Sequence, residues 1–369
     1  MTSSALEPVV RNHDQDDSDH HNDHDNDYYS DYYSDYYSDH SSRALGSMPD
    51  IAGVAILASC ALWALISAMG RTARPEGVLL AVLAVAAGYA CGRIAGSLLP
   101  VACGAAAGLA GLGLTLATRT GSSVHQGLDA AQLTLATGAA CCAAWAARRT
   151  AHRLALWLLA LTITLTAVVS GPTAGWAASG AVLLCSLAAA LPRRLAGLAA
   201  LALVAALGVV GCWAVAADAV PGGLPPSLRS HLTEHRLHLW QDAAHLAGTN
   251  PVRGAGPDLF AELSPTASAS PEPETRPHSA PLQQAAGQGL PGVALLGAAF
   301  AWLLYALWRS PRSTPIALTA AAALTALAVE ASLGNALSFP QVTAGAGLLA
   351  GLATARHLES PTPPPRPAP

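Results

Sequence analysis

The 369-residue chain is short of charge: charged residues make up 11% of it, aromatic residues 5%, and lysine is absent. Soluble domains devote about a quarter of their residues to charge. The shortage, spread along apolar stretches, excludes an ordinary globular domain and points to a lipid solvent. All 19 basic residues are arginine. With the alanine excess this reads as a coding bias rather than a nucleic-acid surface, and no nucleic-acid partner is expected. No Cys-x-x-Cys occurs, and Cys60, Cys91, Cys103, Cys141, Cys142, Cys185 and Cys212 all fall within apolar runs, where a thiol behaves as a small hydrophobe. That argues against a zinc knuckle, a redox pair and a disulfide framework.

What is present is unevenly placed. Residues 1–50 hold 12 acids and two arginines, the remainder 11 acids and 17 arginines. This head contains three Tyr-Tyr-Ser-Asp units among dense His and Asp, and is too polar to bury a core. We read it as a solvated, disordered tail in preference to a weak divalent-cation binder. With no basic start and no apolar stretch it does not resemble a signal peptide. Met48 stands just before the first apolar run, so both Met1 and Met48 are compatible with a start.

From residue 51 onward ten spans are expected, at 51–70, 78–92, 97–118, 129–147, 154–170, 174–191, 195–217, 290–308, 315–333 and 340–355. The fold class is all-α: a polytopic membrane protein of about ten transmembrane helices, seven in 51–217 and three in 290–355, with a Pro-rich tail at 356–369. Arginine-bearing short loops stay cytoplasmic. The linkers with Arg148, Arg149 and Arg153, with Arg193 and Arg194, and with Arg309 and Arg312 share one side by parity. Residues 218–289 then form one large external loop between spans seven and eight, and both termini are cytoplasmic. The linker with Arg71 and Arg74 is the discordant one.

A polar loop this long between spans is functional or a linker. Its middle, 264–277, is rich in Pro and Ser and reads as flexible. Before it, 229–251 has a helical pattern stopped by Asn250 and Pro251, with Arg229, Arg236, Trp240 and Ala243 on one face. After it, 278–292 runs into span eight.

Arg236 and Trp240 at an Arg-x3-Trp spacing, then Asn250-Pro251, Gly254, Gly256 and Phe260, followed by His278, Leu282, Gln283 and Gly289-Leu290-Pro291-Gly292, occur in one order. This ordered set resembles the signature of the O-antigen ligase/O-antigen polymerase family, which carries it in one large external loop with three spans after it. Residues 335–340 resemble the family's segment before its last span, so the resemblance covers residues 229 to about 350. It implies a membrane glycosyltransferase of the bacterial plasma membrane. Such an enzyme takes a glycan from a polyprenyl diphosphate-linked donor and joins it to a hydroxyl of a glycan, lipid or protein acceptor outside that membrane. No metal or cofactor is expected. The chemistry suits the residues: an arginine fork neutralises a departing diphosphate, and a histidine takes the acceptor's proton. His278 and Arg236 are the expected catalytic residues, and Arg229, Trp240, Arg253, Arg276 and Gln283 the expected substrate contacts.

The chain departs from the family at three places. Ser279 stands where the family has Asn, Gly287 where it has an acid, and the stretch from Ser170 lacks an upstream arginine for which Arg71 or Arg119 are candidate substitutes. These departures keep a non-catalytic scaffold of envelope polysaccharide assembly as an alternative, together with a transporter or flippase. The latter calls for ionisable groups at mid-membrane and for repeats. Spans 154–170 and 195–217 hold essentially none, although Glu330 lies near the external end of span nine. His231-x-x-Glu234-His235 spells an inverted zinc-peptidase pattern, with His238, His245 or Glu262 as a third ligand. In so His-rich a helix, a wet interfacial face is the plainer reading. Trp240 could equally be an interfacial anchor; for Arg253 and Arg276 the plainer reading is contact with headgroups, and for the glycines the shaping of turns.

Overall fold

A computed structural model of the chain describes residues 48–118, 126–170, 173–189, 193–219, 233–269 and 275–356. The chain divides into two units, residues 1–51 and 52–369, and the architecture below is that of the second. The acidic head and the Pro-rich tail lie outside the described residues.

Every predicted span coincides with a helix. These are α1 Met48–Ala68, α2 Glu76–Leu98, α3 Pro100–Thr118, α4 Gln126–Ala146, α5 Thr150–Ser170, α6 Thr173–Ala188 and α7 Arg194–Ala216. Between spans seven and eight come α8 Glu234–Thr249, α9 Phe260–Leu263 and α10 Pro265–Ala269, followed by α11 Ala280–Trp308, α12 Thr314–Leu333 and α13 Pro340–Thr354. No strand occurs among the described residues. Among the described residues seven helices, α1, α2, α3, α5, α7, α11 and α12, are long and apolar enough to cross a membrane, against the ten expected. The other three differ for physical reasons. α6 and α13 have 16 and 15 residues. α4 carries Asp129, Gln132, Thr134 and Thr137, and can do so because protein rather than lipid surrounds it: every residue from 131 to 144 is buried.

α4 and α12 form the centre. α12 packs against α4, α6, α7, α11 and α13, while α1, α2, α3 and α7 leave most of their apolar side chains outside the core. α2 and α13 approach backbone to backbone, because a methyl group at Gly88, Gly92, Gly347 or Gly351 would collide with the facing helix's carbonyls.

Arginines lock one end of the bundle. Arg194 donates to the carbonyls of Ser310 and Arg312, at 3.1 and 3.3 Å, and to that of Leu307. Arg312 donates to Gly96 O at 2.6 Å and Ala355 O at 2.8 Å, joining the C-terminal ends of α2 and α13. Burial lowers its guanidinium from the ordinary arginine value, yet the cation keeps these partners. The linkers with Arg194 and Arg312 thus meet at one end.

Two expectations for residues 218–289 are corrected. Helix α11 begins at Ala280, nine residues before the predicted loop end at Gly289. Residues 265–269, read as flexible, form α10, whose first turn is held by Asp242: Ser264 Oγ and Thr266 N donate to its Oδ2 at 2.5 and 3.1 Å. The helix predicted over 229–251 is seen from Glu234, with Arg229 outside the described residues.

Candidate functional site

Helix α8 starts where Thr233 caps it, its hydroxyl accepting from Arg236 N at 3.3 Å. It stops at Asn250 because the residue before a proline disfavours the helical region. Leu239, Trp240, Ala243 and Ala247 form its buried face. They pack on Cys212 and Ala216 of α7, Phe260, Ala267, and Leu282 and Ala286 of α11. This second apolar cluster anchors the polar segment onto the spans.

Arg236 lies one turn before Trp240, half-buried. Its Nη2 donates at 2.8 Å to the carbonyl of Leu333, the last residue of α12, so the cation meets the negative end of that helix. Trp240 is fully buried and its Nε1 donates to Pro277 O at 2.6 Å. The indole therefore supports the chain and presents no open face to a substrate or to a lipid interface, contrary to both readings of the sequence.

The bond lands beside His278, which has φ 49, in the left-handed region. His tolerates this region better than most residues, at some cost. The next residue, Ser279, is the N-cap of α11 and fully buried. Its Oγ lies 3.1 Å from Cys212 Sγ of α7, and its carbonyl accepts from Gln283 N at 2.8 Å. The hydroxyl that replaces the family's amide thus has a partner inside the protein. Gln283 lies half-buried on the first turn of α11.

α11 is two helical pieces joined at Gly289, with φ 71 and ψ −168, two residues before Pro291. The backbone groups around this kink, two carbonyls and one N–H, are bonded to the turn after α8. Ala255 N donates to Ala286 O at 2.7 Å, Gly256 N to Gly287 O at 3.0 Å, and Leu290 N to Pro251 O at 2.8 Å. Trp63 of α1 donates to Gln288 O at 3.0 Å. Gly254 has φ 65, and a methyl group there would strike the Gly287–Gln288 peptide. The two glycine motifs are therefore one interlocked unit, and their glycines shape backbone.

Arg253 and Arg71 fasten this unit to α1. Arg253 Nη2 donates to Ile66 O at 2.7 Å and Met69 O at 3.0 Å, capping α1, and Arg71 Nη1 donates to Gly254 O at 2.6 Å. The discordant linker thus lies at the same end as the 218–289 segment, and its arginine is taken up by that segment's backbone. Arg253, expected at the substrate or at headgroups, is a cap here. Arg276 pairs with Asp258 at 3.0 Å, both about half-exposed at 50% and 47%, so this pair remains open to solvent.

The structure brings Arg236, Trp240 and the His278 segment together, sets Arg253 and Arg276 in separate contacts, and leaves Arg229 and Arg119 outside the described residues. Sequence reasoning missed Asp242, Cys212 and Trp63. Of these only Asp242 had a signal nearby, the Ser264-Pro265 helix start that it caps. Glu330 is buried on α12, with Oε1 accepting from Thr134 Oγ1 at 3.0 Å. His231 of the zinc pattern lies outside the described residues, among which no group of His, Cys, Asp and Glu could hold a metal ion.

No curated protein and no solved structure matches the chain. From residue 154 to residue 297, from α5 to the middle of α11, a chain whose described residues include seven helices long and apolar enough to cross a membrane matches the family model described as O-Antigen ligase.

Proposed function

We propose that the protein transfers a glycan from a polyprenyl diphosphate-linked donor to an acceptor hydroxyl at the external face of the bacterial plasma membrane, with both termini cytoplasmic. The acceptor oxygen attacks the anomeric carbon. The bond to the diphosphate breaks, and its electron pair leaves with the polyprenyl diphosphate. His278 takes the acceptor's proton. Arg236 meets the growing charge of the diphosphate, a task a guanidinium performs in fork geometry without a metal. Arg229, Arg276 and Gln283 are further candidate donor or acceptor contacts. The supporting observation is the placement of Arg236 one turn from Trp240, whose N–H is bonded next to His278. The test is transfer from a lipid diphosphate glycan by purified protein beside H278A and R236A, with and without chelator. Chelator-resistant transfer lost in both variants supports the reading. Equal transfer by wild type and H278A removes the histidine's role.

A second reading, a non-catalytic scaffold, draws on Ser279 and Gly287: the first spends its hydroxyl on Cys212 and the second has no side chain. It predicts no transfer by well-inserted wild-type protein with any donor.

A further inference from the structure

The buried indole has a task that a core residue does not require. A tryptophan inside an apolar cluster needs some acceptor for its N–H, and helix or loop carbonyls are plentiful there. This one is bonded to Pro277 O, the carbonyl immediately before a residue in the left-handed region. On the other flank Ser279 is held by Cys212 and starts α11. His278 is thus the single residue between two pins, one from α8 and one from α7, and its own backbone would relax if either were released. The peptide joining Pro277 to His278 is the one whose carbonyl Trp240 holds, so that bond fixes the peptide plane from which the His278 side chain starts. Arg236 stands on the same helix four residues earlier, so one rigid element carries the arginine and the pin for the histidine.

We propose that Trp240 is a positioning residue: through its hydrogen bond to Pro277 O it sets the direction from which His278 reaches the acceptor hydroxyl. This rests on His278 being the proton acceptor, as above. W240F removes the donor and keeps an aromatic ring in the cluster. A benzothienylalanine at position 240 keeps the bicyclic shape and also lacks the N–H, which separates positioning from packing.

The experiment is a double-mutant cycle on glycan transfer from the lipid diphosphate donor, using full-length protein. Misplacing a catalytic group by about 1 Å costs on the order of a hundredfold, so both replacements at 240 are expected to lower kcat about ten- to a hundredfold, with KM within about twofold. In an H278A background W240F is expected to cost nothing further, because a residue acting only through the histidine has nothing left to act on. Exogenous imidazole is expected to restore H278A and W240F/H278A equally. Wild-type kcat in the benzothienylalanine protein would overturn the proposal, as would a double variant well below H278A. Transfer unaffected by H278A would instead overturn the reading on which the proposal rests.

Discussion

Arg236 ties α8 to the end of α12, and on the proposed function it also meets the donor's diphosphate. Its Nη2 is bonded to the last carbonyl of α12, and an arginine has five donors in a fixed fork. R236K keeps the charge and loses the fork, so transfer is expected to fall at least about tenfold while membrane insertion is retained, measured by initial rates on matched amounts of folded protein. Thr134 offers a test away from the chemistry. T134V takes from Glu330 the hydroxyl that bonds its Oε1, leaving that oxygen buried without its donor, and is expected to cost about 1–3 kcal/mol, read as a lower unfolding midpoint in detergent. At this scale the sequence was informative about identity and poor about posture. Arg236, Trp240 and His278 stood out by their ordered spacing. Nothing local says that Trp240 points into the core or that Arg253 turns toward α1, because both outcomes depend on partners 37 and more than 180 residues away in the chain.

The helices show the same division. Apolar length located all ten elements, since length and hydropathy are local properties. It failed to separate lipid-facing helices from the shielded α4, whose polar residues are permitted by neighbours. The start of α11 was also hidden: the Gly289 kink resembles a helix beginning, while the nine residues before it are helical because the 251–257 turn takes up carbonyls the kink releases. G289A is expected to destabilise the protein by at least about 2 kcal/mol, since a methyl group would lie 2.6 Å from the carbonyl oxygens of Pro251 and Val252 at a φ of 71°. G113A, at a helical glycine with nothing within 4 Å, is the matched control and should be neutral. The comparison is read from the yield of monodisperse protein and its thermal midpoint.

For the molecule as a whole, the described residues define two ends. Arg194 and Arg312 tie the ends of α2, α11 and α13 at one, while at the other Arg71, Arg253 and Arg236 join the 218–289 segment to the end of α1 and the end of α12. The arginines counted as markers of a side have a second task in the structure: Arg194 and Arg312 are spent on backbone carbonyls. The proposed function puts the loop outside, so a cysteine replacing Thr72 or Arg276 in a cysteine-free background is expected to react with an impermeant maleimide on intact cells, and one replacing Arg309 only after permeabilisation. R312A should lower the thermal midpoint by an amount corresponding to about 2 kcal/mol or more, because two buried carbonyls lose a charged donor. The joining of α1 to the kink of α11 has a consequence for biogenesis. Trp63 is made 225 residues before Gln288, to whose carbonyl it is bonded. The first helix must therefore wait in the membrane, with its closing partners unsynthesised, until α11 arrives. The site is thus assembled among the last events of translation, and nascent chains arrested before residue 290 should leave the 251–257 turn open to protease, whereas those arrested after α11 has emerged should protect it.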